Sequence, residues 1–105
     1  MYGGIVDGNA KAKGIILEGG RETSIRQISI KNVTQGLKIA YNEVYGSNDC
    51  DFESLEIEGC YFPGSTGVHV DGLDNTLTDI RISGFEIGMH MTRAGNLMHN
   101  VHAVY

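Results

Sequence analysis

The chain has 105 residues, 41% hydrophobic and 20% charged, with a formal net charge of -5. That length supports one small core, and the acidic balance argues against a nucleic-acid partner. No stretch approaches the ~20 apolar residues of a membrane span, so no membrane partner is expected, and Met1-Tyr2-Gly3-Gly4 has neither region of a secretory signal.

In chain order the first feature is Gly3-Gly4-Ile5-Val6-Asp7-Gly8-Asn9, in which Asp7-Gly8 reads as a turn that tolerates positive φ. Gly14-Ile15-Ile16-Leu17 then opens a Gly-apolar-x-apolar motif that returns at Gly36-Leu37-Lys38-Ile39, Gly67-Val68-His69-Val70 and Gly88-Met89-His90-Met91. Between these lies a second motif, apolar at i, i+3, i+5 and i+8. It comprises Ile25/Ile28/Ile30/Val33, Phe52/Leu55/Ile57/Cys60 and Leu77/Ile80/Ile82/Phe85, with Met98/Val101/Ala103 beginning another. The two motifs alternate strictly. Gly67 to Gly88 is 21 residues and Gly14 to Gly36 is 22, while Gly36 to Gly67 is 31, the excess falling at Asn42 to Asp49 and Tyr61 to Ser65. Both stretches are rich in turn residues and read as loop insertions.

Each unit alternates with period two, and no window holds a sustained i, i+3, i+4, i+7 stripe, so short strands of three to five residues are predicted throughout. Short strands at a fixed repeat are what a β-solenoid requires, each coil stacking about 4.8 Å from the last. The predicted fold is all-β, a right-handed single-stranded parallel β-helix of four to five coils, one segment over residues 1–105 without recognisable caps and part of a longer protein. Its open ends are expected to display Val6, Leu17 and Ile28 at one side and Met91, Val101 and Ala103 at the other. Such ends imply a homo-oligomer or a longer chain.

Register can be tested from charge, because equivalent residues of adjacent coils lie side by side. The second motif pairs Arg26 with Glu53, Glu56 with Arg81 and Lys31 with Glu58, all opposite in sign. Asn32, Gly59 and Gly84 occupy one position in three repeats, which predicts a shared left-handed corner. Cys50 and Cys60 are too few for a disulfide framework, and Cys60 fits the apolar column better than a bridge.

This pattern resembles the pectin lyase-like superfamily of parallel β-helices, which includes pectate lyases, polygalacturonases and phage tailspikes or appendages. The specific echo is Gly3-Gly4-Ile5-Val6-Asp7-Gly8-Asn9 before Gly14-Ile15-Ile16-Leu17, similar to the Gly-Gly-x-Ile-Asp-Gly-Asn run that opens many of these helices. The resemblance implies an extracellular or virion-associated protein that binds or degrades a polysaccharide, by hydrolysis or elimination, and a trimer if it is of the tailspike kind. It also covers non-enzymatic solenoids serving oligomerisation or adhesion. The family's catalytic strings are missing: Asp74-Asn75-Thr76 and Arg81-Ile82-Ser83 are the nearest to those of polygalacturonases, and neither matches.

Two outward columns are predicted on the Gly-apolar-x-apolar strands: Ile16, Lys38, His69, His90, and Glu18, Ala40, Asp71, Thr92. They bring His69, Asp71 and His90 together as candidate acid/base residues. Glu18, Lys38 and Arg93, with Tyr41 and Tyr45 in the first insertion, are candidate glycan contacts, and Tyr61 and Phe62 sit in the second. The alternative for all of them is a solvated strand face. Glu18 and Asp71 are the two carboxylates on that face, two coils apart. His69-Val70-Asp71 is a weak metal signal, and no metal or other cofactor is expected. His99 and His102 read as a polar surface ladder.

Overall fold

The structure, a computed structural model, describes residues 1–19, 22–40, 47, 49–92 and 95–104. It is a parallel β-solenoid of about four turns. In chain order the strands are β1 (Tyr2–Asp7), β2 (Ile15–Glu18), β3 (Ser24–Val33), β4 (Gln35–Ala40), β5 (Asp51–Gly59), β6 (Thr66–Val70), β7 (Thr76–Ser83), β8 (Ile87–Met91) and β9 (Leu97–Val104). Odd strands stack as β1-β3-β5-β7-β9 and even strands as β2-β4-β6-β8, so each coil contributes one strand to each sheet. Among the described residues no helix is formed.

The register is the one charge complementarity predicts. Arg26 lies opposite Glu53, Lys31 opposite Glu58 and Glu56 opposite Arg81. Arg26 also reaches Asp51, Nη2 to Oδ2 at 2.8 Å, and approaches the Glu53 carboxylate at 3.7 Å. Inward residues form continuous columns through the stack: Ile25–Phe52–Leu77, Leu55–Ile80–Val101, and Val6–Ile30–Ile57–Ile82 from the odd strands, Ile15–Leu37–Val68–Met89 from the even ones. Phe52, Ile30, Leu37, Val68, Leu77 and Ile80 are fully buried. Each such side chain contributes roughly 1.5–3 kcal/mol relative to exposure.

The odd strands are longer than the predicted three to five residues, because two short stretches join without breaking the ladder. The joint is a single left-handed residue: Gln27, Ser54, Asp79 and Asn100 have φ of 53°, 55°, 53° and 57°. That residue turns the chain and puts two successive side chains outward, which converts the period of two into the i, i+3 step seen in the sequence. The repeated glycines have a different cause. Gly14, Gly36, Gly67 and Gly88 all lie outside the left-handed region. Cβ atoms there would strike Ile30, Ile57, Ile82 and Ala103 respectively, and at the first three also the carbonyl of the next coil's glycine. Glycine lets each even strand start against the odd-strand core.

Several expectations are corrected. Of the three predicted corner residues, Asn32 (φ 52°) and Gly84 (φ 77°) are left-handed and Gly59 is not; two residues beyond Gly59, Tyr61 is left-handed (φ 57°). The register shifts between Lys31 and Val33, so Asn32 is an extra residue relative to the next coil, and Gly59 is glycine because Phe85 packs against it. At the first turn Asp7 holds the backbone through its side chain, its Oδ1 accepting from Asn9 N–H at 2.9 Å, and the positive φ angles belong to Asn9 and Ala10. Ile28 is not displayed at an open end: β1 covers it, with Gly4 opposite, and it is 1% exposed. Ala40, expected to face outward, is buried. Cys60 is half-buried rather than core, its Sγ at 3.6 Å from the Val33 carbonyl, and neither cysteine is in a disulfide.

A polar ladder runs up the corner before β7 and β9. Asn75 Oδ1 accepts from Cys50 N–H at 3.0 Å, and its Nδ2 donates to the Ser47 carbonyl at 2.9 Å. Asn96 repeats the device one coil on, accepting from Asn75 N–H at 3.0 Å and donating to the Gly72 carbonyl at 2.9 Å. Both amides satisfy main-chain groups that turn inward where strand pairing stops.

Candidate functional site

The even strands bring the predicted acid/base residues together on their outer face. Lys38 lies opposite His69 and His69 opposite His90, on β4, β6 and β8. Glycine at the head of each strand and valine or methionine on either side of each histidine fix the alternation that turns these side chains out. The two imidazoles stack, with ring centroids 4.7 Å apart and planes within 10°. Asp71 and Thr92 follow one residue beyond β6 and β8, tied to the ladder by Asp71 N–H to the Ile39 carbonyl and Thr92 N–H to the Val70 carbonyl.

Thr92 joins the cluster. Its hydroxyl donates to Asp71 Oδ1 at 2.7 Å, and His69 Nε2 lies 3.3 Å from Thr92 Oγ1. The Thr92 hydroxyl has one proton and two oxygen acceptors, Asp71 Oδ1 at 2.7 Å and the Val70 carbonyl at 3.2 Å. With the proton given to either, the hydroxyl oxygen can accept from His69 Nε2–H, the tautomer that leaves Nδ1 with the lone pair. Partial burial, then the neighbouring His90 and Lys38, hold the His69 imidazole below the ordinary histidine value, against a smaller upward pull from Asp71. A neutral imidazole with a carboxylate behind it through one hydroxyl is suited to accept a proton at Nδ1. The sequence reading missed Thr92 as a link, although its place in the column beside Asp71 was legible.

No protein-family model, no curated protein and no solved structure matches the chain.

Of the predicted glycan contacts, Lys38 is half-buried beside His69, and Glu18 is exposed two coils from Asp71, with Ala40 on the coil between Glu18 and Asp71. Arg93, Tyr41 and Tyr45 lie outside the described residues. Tyr61 and Phe62 are exposed, at 63% and 52%, on the loop between β5 and β6. Among the described residues no three His, Cys, Asp or Glu side chains are placed to hold a metal ion. The parallel rings of His69 and His90 present their lone pairs side by side, where a metal needs them to converge. His99 and His102 face outward on β9, opposite Thr78 and Arg81. His102 is tied to Asn100, Nε2 to Oδ1 at 2.9 Å.

Proposed function

We propose that this chain is a polysaccharide-recognising segment of a pectin lyase-like β-helix protein, with the His69–Asp71–His90 face as the place where the glycan is engaged. The observation that carries the reading is the chain of contacts from His69 through Thr92 to Asp71, with His90 stacked on His69. Stacked imidazole edges and a carboxylate on a flat, exposed strand face offer donors and acceptors to sugar hydroxyls, and the unprotonated Nδ1 offers a base. In this reading the protein works outside the cell or on a virion, as a trimer or as part of a longer chain. The reaction, if the face is catalytic, is glycoside hydrolysis or polysaccharide elimination.

A structural solenoid is the second reading, and the satisfied main chain favours it. The Asn75 and Asn96 ladder and the paired outer charges are features a load-carrying rod needs and a binding site does not. The test is retention on an array of plant and microbial glycans, comparing the native chain with His69→Ala, Asp71→Ala and His90→Ala, each checked for native circular dichroism. Loss of retention in these variants supports the site. Equal retention in all three leaves the face merely solvated.

A further inference from the structure

The odd-strand sheet carries a second surface. Its outer side is hollowed at the left-handed bend into a groove of ≈ 450 Å³ that crosses β3, β5, β7 and β9. One column along the groove is Gln27, Ser54, Asp79 and Asn100, all exposed. Beside it run Glu56, Arg81 and His102, in register on successive coils.

The bend column is where backbone strain is accepted. All four residues have positive φ, yet only Asn and Asp among them enter this region with any ease, and glycine would satisfy the bend without strain. In β1 the same position is Gly3, at φ 72°. Four coils in succession instead keep a hydrogen-bonding side chain there, and strained residues held in a groove point to a use for what they display. Two of these side chains, Asp79 and Asn100, are also tied to each other. Asn100 Nδ2 donates to Asp79 Oδ1 at 2.7 Å, so Asn100 Oδ1 is free to accept from His102 Nε2 at 2.9 Å. That assigns the hydrogen to His102 Nε2 and leaves Nδ1 turned to other partners.

Charge narrows the ligand. Arg81 is set in register against Glu56, and Asp79 adds a second carboxylate, so the groove holds one guanidinium against two carboxylates in a chain whose net charge is already -5. A polyanion is repelled from such a groove, and an apolar ligand would strip water from its amides and carboxylates without replacing the bonds. What fits is an uncharged chain dense in hydroxyl groups, repeating at about the 4.8 Å coil spacing. We infer that the groove binds an extended neutral glycan lengthwise, about one sugar unit per coil, through Gln27, Ser54, Asp79 and Asn100. The inference shares with the proposed function the idea that this protein handles glycans, and adds a separate surface and a chemical class.

The test uses an array of neutral and acidic linear oligosaccharides graded in length, then titration calorimetry with the best-retained neutral member. Neutral members should be retained, acidic ones should not, and affinity should rise with length up to about four units. The Gln27→Gly/Ser54→Gly double variant should bind about tenfold more weakly, having lost two side-chain contacts, while its thermal midpoint is unchanged or higher because the strain is gone. Lys11→Ala, an exposed position outside both the groove and the histidine face, should bind normally. Weakening confined to His69→Ala and His90→Ala would overturn the groove and leave the histidine face standing. Weakening confined to the double variant establishes the groove and removes the histidine face as the binding site. Retention of no neutral glycan, or equal binding by the double variant, also overturns the inference.

Discussion

Asn75→Ala isolates the corner ladder. Asn75 is 0% exposed, and its amide serves two main-chain groups of the preceding coil, Cys50 N–H and the Ser47 carbonyl. Alanine removes both contacts in a place water does not reach. Depriving a buried N–H of its acceptor costs about 1–3 kcal/mol, and losing the donor to the carbonyl adds roughly 0.5–1.5 kcal/mol. The sum, about 1.5–4.5 kcal/mol, is a large part of the ~5–15 kcal/mol that holds an ordinary domain. In urea, with a slope of roughly 1–2 kcal/mol per molar, the midpoint should fall by about 2 M with the slope unchanged. Asn96→Ala breaks the equivalent pair one coil on, but that corner is only part-buried and water replaces some of what is lost, so a smaller fall is expected. A fall below ~0.5 M for Asn75→Ala, or a larger one for Asn96→Ala, would refute the view that satisfaction of buried main-chain groups sets the stability of the corner.

Two further outcomes follow from the register and the histidine stack. Arg81→Glu sets like charges side by side with Glu56, and adding Glu56→Arg should recover part of the loss. A double-mutant cycle should give a coupling of about 0.2–1 kcal/mol, the scale of exposed pairs, and zero coupling would count against this register as a source of side-chain pairing. His69 is held below its ordinary value, so the unfolded chain takes up a proton more readily than the folded one. Stability should therefore drop as pH falls through the ordinary histidine value near 6.5 toward the lower folded value, and His69→Gln should flatten that part of the curve in urea titrations at stepped pH.

What the sequence made legible was the part of the fold that repeats as residue type. The Gly-apolar-x-apolar units and the opposite charges at Arg26/Glu53, Lys31/Glu58 and Glu56/Arg81 are sufficient to place strands in register, since a slip of one residue would invert every side chain. The stacking of His69 on His90 follows from the same register. Less legible was anything carried by main-chain conformation. Gln27, Ser54, Asp79 and Asn100 share an unusual φ but no common residue type, so their column is hidden until the i, i+3 spacing is read as a bend. Asn75 and Asn96 do share a type at a separation of 21 residues, and that signal was open to use. Asparagine before a strand also reads as a plain turn former, so residue type alone does not single out the ladder. The corner failed for a related reason: glycine serves both left-handed turns and close packing, and Gly84 and Gly59 divide those two uses between them.

The asparagine ladder has a direction. Asn75 completes the coil that holds Cys50, and Asn96 completes the coil that holds Asn75; in both cases the later residue in the chain finishes the earlier turn. A ribosome delivers the chain in that same order, so each turn that emerges closes the one already waiting, and growth proceeds as a row of bricks in which every new course locks the last. The unit is also self-similar at the joint. Duplicating one turn of about 21 residues between equivalent asparagines would insert a course whose upper and lower surfaces already match their neighbours. Lengthening such a protein by gene duplication therefore needs no new interface, whereas an insertion of any other length must be thrown out of the stack as a loop, as the stretch from Tyr61 to Ser65 is between β5 and β6.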